Sequence, residues 1–411
     1  MVDTKRKVPN LRFKGFTNDW EQRKLGEIGK TQSGIGFPNK EQGGQTGIPF
    51  FKVSDMNNQG NEFEMVTSNN YVTDDQIVTQ KWKPITEVPA VIFAKVGAAL
   101  MLNRKRLIKM PFLIDNNTMA YIFNQKWDPY FGKILFDTLY LPKYAQTGAL
   151  PSFNESDIKG IRVKFPNLNE QQVISQFFQN VNNLISLQQR KLELLKQLKK
   201  GFLQKLFADE NEKQPVLRFN GFTGDWEQCK LGEVGKIVGG GTPSTKLPSY
   251  WNGSINWYTP AEISDFVYTN HSKKTITYDG LKHSSAQLLP KGTVLFTSRA
   301  GIGKTAILSK EGATNQGFQS IIPNKKLLNS YFIFSLTSQL KRYGETHGAG
   351  STFVEVSGKE LAKAPIKIPE LSEQQKISTL NKKIDGLIAL QQSTLNELAL
   401  LKKFFLQKMF I

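Results

Sequence analysis

The chain carries the stretch PNLRFKGFTNDWEQRKLGEIGK at residues 9–30 and repeats it, with few changes, as PVLRFNGFTGDWEQCKLGEVGK at residues 215–236. The two stretches are identical at 17 of 22 positions, at an offset of 206 residues. Such a period is too long for a solenoid, whose repeats run to roughly 20–50 residues. The 411-residue chain is therefore predicted to be a tandem duplication of one module.

A second pair of repeats predicts two long helices. Residues 166–207 and 369–410 are identical at 22 of 42 positions, at an offset of 203. Ser372 and Gln375 have the spacing of a capping box at a helix start, and Asn169 begins an approximate copy of it. Apolar residues recur at heptad-like intervals along both stretches, which indicates coiled-coil helices.

We expect these helices to pack antiparallel, because approximate two-fold symmetry between the halves favours that arrangement. In the predicted register the numbers of paired residues add up to 582, and a polar layer joins Gln188 to Thr394 and Lys191 to Gln391. Sliding the register by a heptad would set Gln188 against Leu387, which disfavours the slip. The predicted interface consists of Phe177, Val181, Leu184, Gln188, Lys191, Leu195, Leu198, Phe202, Leu380, Ile384, Leu387, Gln391, Thr394, Leu398, Leu401 and Phe405.

The repeat also predicts that two distant segments meet. The second copy of the opening stretch begins eight residues after Phe207, where the first helix is expected to end. By the same symmetry, residues 9–30 are expected near Phe410, at the end of the second helix.

The interiors of the two copies, about 31–147 and 237–347, align poorly with each other. Short β-prone runs such as AVIFAKV and GTVLFTS, together with helical segments, predict mixed domains. The predicted fold class is α/β (α+β), a tandem duplication with two globular domains joined by two long antiparallel coiled-coil helices. The predicted boundaries are 1–165 for the first domain, 166–208 for the central helix, 209–368 for the second domain and 369–411 for the C-terminal helix.

Charge and composition indicate the class of partner. Lys and Arg number 54 against 35 acidic residues, a net charge of +19 that favours nucleic acid. The plainer interpretation is a lysine-rich composition that serves solubility. A single cysteine, Cys229, excludes a disulfide framework, and no apolar run approaches a membrane span of about 20 residues. The opening residues lack the pattern of a secretion signal, so we expect a cytoplasmic protein without membrane contact.

Catalytic patterns are missing from the sequence. GIGKT at 301–305 resembles the end of a P-loop, but Ser298 stands where that motif requires its first glycine. We interpret it as a turn that presents Arg299 and Lys304, with a plain hairpin turn as the alternative. Three histidines leave little material for a metal site, and no HExxH, GxSxG or CxxC pattern occurs. No catalytic residue and no metal site are predicted.

Candidate DNA contacts lie in the two interiors. The basic cluster NRKR at 103–106 is either a solvated face or a contact to phosphates and guanine edges. Amide side chains at corresponding places of both interiors either read adenine or cap turns, and the aromatic loop at 239–260 either packs or meets DNA. The candidate set is Lys52, Lys95, Asn103, Arg104, Lys105, Arg106, Asn116, Asn117, Thr242, Lys246, Tyr250, Trp251, Arg299, Lys304, Asn315 and Gln316.

These residues together resemble the specificity subunits of type I restriction-modification enzymes. The resemblance rests on the two opening stretches, on NEQQVIS and SEQQKIS at the helix starts, on the helix ends KKGFLQKLF and KKFFLQKMF, and on GGGTPSTKLPSYWNGSINWYT, GTVLFTSRAGIGKTAIL and TNQGFQSI. The first interior departs from the family pattern, with SGIGFPN in place of GGGTP and a weaker glycine turn at 97–99.

The resemblance implies a subunit that is not itself an enzyme. Each globular domain is then a target-recognition domain that reads one half of a bipartite, asymmetric DNA site. The helix pair sets the spacer and docks two methyltransferase subunits, and restriction subunits complete the complex. No cofactor is implied for this chain, since S-adenosylmethionine, ATP and Mg are used by the partner subunits. The alternatives are a stand-alone DNA-binding regulator and an enzyme that uses GIGKT for nucleotides.

Overall fold

The computed structural model describes residues 7–146, 150–263, 267–299, 301–350 and 354–410. They divide into two compact units. The first unit contains the described residues up to Leu187 and those from Leu395 onward, and the second runs from Gln188 to Thr394. Each unit therefore combines one mixed domain with a part of each long helix.

The first unit is built on an antiparallel sheet of four strands. The unit as a whole has nine strands, namely β1 (Glu21–Lys24), β2 (Gly29–Ser33), β3 (Ile48–Phe51), β4 (Tyr71–Val72), β5 (Ala90–Ala94), β6 (Lys105–Ile108), β7 (Leu113–Ile114), β8 (Thr118–Phe123) and β9 (Arg162–Phe165), among the described residues. They pair in the orders β2-β8-β5-β6, β4-β3-β7 and β1-β9. Its helices are α1 (Leu25–Ile28), α2 (Asp74–Thr79), α3 (Ala98–Met101), α4 (Pro129–Thr138), α5 (Glu155–Lys159) and the long α6 (Leu168–Lys205), which continues into the second unit.

The second unit repeats this plan around a sheet of five strands. Its strands are β10 (Glu227–Lys230), β11 (Gly235–Gly239), β12 (Trp251–Tyr258), β13 (Tyr268–Thr269), β14 (Lys274–Ile276), β15 (Val294–Phe296), β16 (Thr305–Leu308), β17 (Ala313–Thr314), β18 (Gln319–Pro323) and β19 (Pro365–Ile368). They pair in the orders β11-β18-β15-β16-β13, β14-β12-β17 and β10-β19. Its helices are α7 (Leu231–Val234), α8 (Tyr278–Lys282), α9 (Ser330–Ser335), α10 (Thr337–His347), α11 (Gly358–Leu361) and the long α12 (Leu371–Met409), which continues into the first unit.

The two strand plans are the same once β13 is set aside. The predicted tandem duplication of mixed α/β modules is thus confirmed, even for the interiors, whose sequences align poorly. Burial explains why: every residue of β5 and of its counterpart β15 is buried. A central strand needs apolar side chains of suitable size and does not need particular ones.

A buried ion pair fastens the opening stretch of each copy to the start of a long helix. Arg12 donates to both carboxylate oxygens of Glu170, at 2.6 and 2.7 Å, and Arg218 donates likewise to Glu373, at 2.9 and 2.8 Å. Both glutamates are fully buried. The fork of a guanidinium fits a carboxylate in this two-point manner, which fixes direction as well as distance.

The glutamine that follows each glutamate fastens the same helix to the interior of its domain. Gln171 donates to the backbone oxygens of Lys126 and Pro166 and accepts from the backbone of Asp128. Gln374 makes the same three bonds in the second unit, to Leu327, Pro369 and Asn329. The repeated EQQ sequence is therefore the joint between frame and domain, and it does not form the predicted capping box.

Each long helix begins one residue before the residue that was predicted to cap it. α6 begins at Leu168, and its cap is Asn167, whose Oδ1 accepts from the backbone of Glu170 at 3.0 Å. Asn169 is already helical, as is Ser372, whose hydroxyl bonds to the side chain of Glu370. The predicted capping roles of Asn169 and Ser372 are wrong, because each helix begins directly after the proline–polar pair that precedes it.

The buried stripe of each helix also differs in register from the prediction. One half of the predicted stripe, which includes Ile174 and Val181 in α6, lies inward. The other half lies one residue later than predicted: Phe178, Ile185 and Leu192 turn inward in α6. Four of the seven predicted interface leucines are instead exposed, namely Leu184 at 41%, Leu198 at 49%, Leu387 at 51% and Leu401 at 50%. Leucines occupy both spacings, so apolar character alone did not distinguish them.

A polar layer is present, but its partners are not the predicted ones. The Gln391 amide donates to the backbone oxygen of Gln188 at 3.0 Å and also to its side-chain oxygen. Thr394 donates to Leu390 of its own helix, and Lys191 is exposed. The corrected layer joins two residues at equivalent positions of the two copies.

Other contacts agree with the predicted antiparallel packing. In the second unit, Lys199 pairs with Asp385 at 2.5 Å, so numbers rise along one helix as they fall along the other. Phe202 and Leu380 pack against the same core there. In the first unit, the rings of Phe177 and Phe405 meet at 5.0 Å, as predicted. The helix pair is therefore antiparallel, with half of each buried stripe one residue later than predicted.

The opening stretches meet the helix ends as predicted. In the first unit, the Leu11 amide donates to the backbone oxygen of Lys408 at 2.9 Å, and Trp20 lies 6.2 Å from Phe410. In the second unit, the Leu217 amide donates to Lys205 at 2.8 Å, and Trp226 lies 6.2 Å from Phe207. No helix among the described residues is both long and apolar enough to span a membrane.

The frame generates a prediction about stability. Replacing Glu373 by glutamine leaves the Arg218 guanidinium, whose side chain is only 14% exposed, without its counter-charge. We expect Glu373→Gln to lower the free energy of unfolding by about 3 kcal/mol, measured by chemical denaturation. Asp225→Asn, a change at an exposed acid close to the same arginine, is the matched control. An unchanged denaturation midpoint in Glu373→Gln would contradict the role given to the pair.

Candidate nucleic-acid interface

Three loops of the second unit come together at one end of its main sheet. The Gly241 amide donates to the backbone oxygen of Thr314 at 2.9 Å, and the Ser298 amide donates to Gly317 at 2.9 Å. These bonds join the glycine-rich loop, the turn between β15 and β16, and the turn between β17 and β18. We call residues 240–246, 298–299, 301–304 and 314–317 the second recognition edge.

Glycine makes this approach of backbones feasible. A Cβ atom on Gly240 would lie 2.0 Å from the backbone oxygen of Asn315. The contact places the exposed Thr242 against Gln316, and the threonine hydroxyl donates to Gln316 Oε1 at 2.6 Å. Asn315 accepts from the backbone of Gly317 at 2.9 Å and so caps its own turn. Three predicted candidates are thus brought together, one of them with a structural bond of its own.

The GIGKT segment forms a hairpin turn held by Thr297. The Thr297 hydroxyl donates to Gly301 at 2.7 Å and accepts from the Lys304 amide at 2.9 Å, while its backbone oxygen accepts from Gly303 at 3.0 Å. Gly303 has a φ of +90°, and a Cβ there would lie 2.4 Å from Lys341. The amides of Gly303 and Lys304 therefore donate to Thr297 within the turn, whereas P-loop amides donate to a phosphate.

The cations and aromatic residues of this edge divide into exposed and packed groups. Lys246 and Lys304 are exposed, and the side chain of Arg299 is 39% exposed, 3.9 Å from Glu355. Trp251 donates to the backbone of Ser244 and meets the Trp257 ring at 5.1 Å. The Tyr250 ring stacks on His283 at 5.7 Å. The aromatic residues hold the loop, and the lysines face solvent.

The first unit has a corresponding edge, although its sequence looked different. Gly34 donates to Thr118 at 3.0 Å, and a Cβ on Gly34 would lie 1.9 Å from the backbone oxygen of Asp115. Gly34 and Gly240 are equivalent at the offset of 206, so SGIGFPN keeps the glycine on which the approach depends. The shared offset was the signal that could have identified this loop.

Several first-unit candidates lie at this edge. The Lys95 amide donates to the backbone of Asn117 at 2.8 Å, the counterpart of the bond from Ser298 to Gly317. Asn116 and Asn117 are exposed in the turn, and Lys52 directly follows Phe51, which accepts from the Asp115 amide at 3.0 Å. We call residues 34–37, Lys52, Lys95 and 115–117 the first recognition edge. The turn predicted at 97–99 is instead the start of the short helix α3.

Most side chains of the NRKR cluster bond to other parts of the domain. The prediction that the cluster as a whole contacts DNA is therefore corrected. Lys105 is 2% exposed and donates to Asn103 Oδ1 at 2.8 Å and to the backbone of Leu139 at 2.6 Å. Burial lowers the pKa of Lys105 to about 8. Arg106 donates to the backbone oxygens of Met56 and Lys105, and burial lowers its pKa. The start of β6 carries Lys105 into the interior, which a run of basic letters does not reveal.

Asn103 and Arg104 are engaged as well. Asn103 has a φ of +53°, donates to Leu139 and accepts from the Leu141 amide, so it shapes the turn before β6. The Arg104 guanidinium donates to the side chain of Asn57 and remains partly exposed. Only Arg104 of the four residues is placed for a ligand.

Chemistry-bearing clusters are scarce in the described part of the chain. Its His, Cys, Asp and Glu side chains form no group of three or more that could hold a metal ion. Burial raises the pKa of the Cys229 thiol to about 11, which disfavours the reactive thiolate. The geometry is that of two loop-bearing edges on rigid frames, an arrangement suited to recognition.

Comparison with known proteins decides the family. The model of the type I restriction modification DNA specificity domain matches residues 17–197 and again residues 223–400. The chain belongs to this family. The two matches fall on the two repeats, so each copy corresponds to one specificity domain.

Relatives are named specificity subunits of type I restriction enzymes. The MjaIX subunit of Methanocaldococcus jannaschii is 39% identical over 167 residues, 40% of this chain and 39% of the relative's own length. The putative MjaX subunit of the same organism is 24% identical over 94% of this chain and 91% of its own length. The EcoR124I/EcoR124II subunit of Escherichia coli is 31% identical over 172 residues, 40% of this chain and 42% of its own length.

Solved structures share the fold. The S subunit of a type I restriction-modification system from M. genitalium superposes with a TM-score of 0.60 at 14% identity, over 98% of this chain and 99% of that one. A chain from a structure of the type I R-M system superposes with a TM-score of 0.59 at 18% identity, over 95% and 97% of the two chains. At these identities the likeness establishes the architecture alone.

The buried lysine of the first unit generates a prediction for pH. Because the pKa of Lys105 is about 8 in the folded chain and 10.5 ordinarily, the unfolded chain holds more protons between these values. Stability therefore rises with pH across that window. Between pH 7 and pH 9, wild type should gain roughly 1 kcal/mol relative to Lys105→Met in denaturant unfolding. Parallel pH profiles of the two proteins would show that Lys105 is not buried as a charged group.

Proposed function

We propose that this chain is the non-catalytic DNA sequence-recognition subunit of a type I restriction-modification complex. The observation that carries the proposal is the pairing of like frames with unlike edges. Two domains of one strand plan, each fastened by an Arg–Glu pair, present different side chains at equivalent places. A protein that had to bind two different targets with one scaffold would be built in this way.

Each recognition edge reads one half of a bipartite, asymmetric DNA site. The second edge offers the Thr242–Gln316 pair and the exposed Lys304, whereas the first offers Asn116, Asn117 and Lys95. Amides and hydroxyls hydrogen-bond to base edges in the major groove, and lysines neutralise phosphates. Because the two sets differ in length and in donor arrangement, the two half-sites differ in sequence.

The charge of the chain supports a polyanionic target. An excess of 19 positive charges draws DNA to the protein without regard to sequence and makes the affinity fall with salt. The loops then select among sequences. The net charge thus serves the first binding to DNA of any sequence, and the two edges serve the later recognition of the target sequence.

The long helices support docking of two methyltransferase subunits. Leu184, Leu187 and Leu401 are exposed in the first unit, and their equivalents Leu387, Leu390 and Leu198 are exposed in the second, all between 41% and 65%. Exposed leucines at matched positions are costly on a surface that stays bare. We propose that each set receives one methyltransferase subunit, that restriction subunits complete the complex, and that the helix pair sets the spacer between the half-sites.

The chain contributes no chemistry of its own in this proposal. It binds no cofactor, and the partner subunits use S-adenosylmethionine, ATP and Mg in the cytoplasm. A stand-alone DNA-binding regulator would have no use for the two leucine sets. An enzyme using GIGKT is disfavoured because Thr297 consumes the amides of that turn.

A domain exchange tests the proposal. Residues 31–147 are replaced by the corresponding interior of a relative with another target, and the methylated sites are sequenced in cells that also carry the methyltransferase subunit. One half of the methylated sequence should change while the other half and the spacer stay. The reciprocal exchange of 237–347 is the matched control and should change only the other half. A change in both halves after either exchange would contradict the separate reading of half-sites.

A further inference from the structure

The two leucine sets lie on helix faces that differ in charge. In the second unit the face holds Lys191, Leu194, Leu198 and Lys205 of α6, together with Lys376, Lys383, Leu387 and Leu390 of α12, and all eight are exposed. We call these eight residues the second docking face. In the first unit the equivalent face holds Val173, Asn180, Leu184 and Leu187 of α6, together with Glu397 and Leu401 of α12, all six exposed, and the half-buried Lys408 of α12. We call these seven residues the first docking face.

Helical spacing places each group on one side of its helix. Lys191, Leu194, Leu198 and Lys205 follow one another at intervals of three, four and seven residues, and Lys376, Lys383, Leu387 and Leu390 at intervals of seven, four and three. Residues at such intervals lie above one another along a helix. The buried stripe runs beside them through Gln188 and Leu192 of α6 and Ile384 and Gln391 of α12.

Charge is what separates the two faces. The second docking face carries four lysines and no acidic residue, whereas the first carries one lysine and one glutamate. The repeat has therefore kept leucines at equivalent positions of both faces and has placed cations around one of them. Lys376 lies 4.7 Å over the Phe222 ring and so keeps its charge close to the surface of the domain.

The shared leucines indicate a protein partner for both faces. A surface that contacts DNA phosphates gains nothing from exposed leucines, whereas a protein interface buries them in its core. Lysines around an apolar patch match carboxylates at the rim of the partner, which raises the association rate and fixes the choice of surface. Both docking faces thus provide an apolar contact, and the second docking face adds four lysines to it.

We infer that the second docking face receives an acidic face of a methyltransferase subunit, and that this subunit binds there first and more tightly than at the first docking face. The inference rests on the proposed function, which supplies the partner. If both partners are copies of one methyltransferase chain, the same carboxylates meet four lysines at one face and a neutral surface at the other. Assembly is then ordered, with a one-to-one intermediate occupied at the second unit.

Stepwise binding tests the inference with the full chain and the methyltransferase subunit encoded beside it. Calorimetry and native mass spectrometry at low and high salt give the two dissociation constants. The first step should be at least tenfold tighter than the second at low salt, after correction for two sites, and the ratio should fall several-fold at high salt. Hydrogen exchange of the one-to-one complex should protect residues 383–390 and leave 180–187 unprotected.

Charge-neutralising variants identify the face. Lys191→Gln combined with Lys383→Gln should weaken the tighter step about tenfold and bring the two steps together. Lys196→Gln combined with Lys200→Gln is the matched control, since both lysines are exposed on another side of α6. The control should keep the difference between the steps.

Three outcomes overturn the inference. Equal affinities at low salt would show that the charge difference has no effect on docking. Weaker DNA binding by the first variant pair with unchanged methyltransferase steps would assign the lysines to DNA. If the wild-type chain binds no methyltransferase at all, the proposed function fails, and this inference fails with it.

Discussion

Two buried ion pairs, Arg12 with Glu170 and Arg218 with Glu373, hold the architecture together. Each joins a repeated opening stretch to the first turn of a long helix, where a charge without its partner would be costly. The adjacent glutamine then secures the helix to the domain through three hydrogen bonds. Each domain therefore has a fixed attachment to its helix that does not depend on the residues of its own interior.

That independence accounts for the freedom of the interiors. The sheets keep one strand plan while their sequences differ, because the plan needs buried apolar strands and a glycine where two backbones meet. Gly34 and Gly240 meet this need in loops that otherwise share little. The attachment of each domain to its helix does not depend on the side chains of the recognition edges, so these side chains are free to differ. A scaffold of this kind can present new contacts without a change of fold.

The sequence predicted what repetition and periodicity control. Duplication, two long helices, a polar layer at their middle and the meeting of opening stretches with helix ends all follow from letters compared within one chain. The register of the helices does not follow, since leucines stand both at the inward positions and beside them, as Leu184 and Leu192 show. Only the shape of the domain against which each helix packs decides which of them is buried.

The positions of basic residues in the sequence predicted the recognition edges less well than repetition and periodicity predicted the fold. Lys105 stands in a basic run yet is buried on two oxygen acceptors, because strand pairing turns its side chain inward. Lys304 stands beside a turn that resembles a nucleotide site, and the hydrogen bonds of Thr297 show that it is a hairpin. In both cases the deciding information is a long-range contact, which local composition does not contain.

In the proposed function the repeated frame does not select the DNA sequence, and each interior carries its own target specificity. The most direct measurement is to place a second copy of residues 237–347 in the first frame, in place of 31–147, and to sequence the DNA methylated by the assembled complex. The methylated site should then have two identical halves, each of them the half-site that the second domain reads. Retention of the original first half, in a protein that folds and assembles, would contradict it.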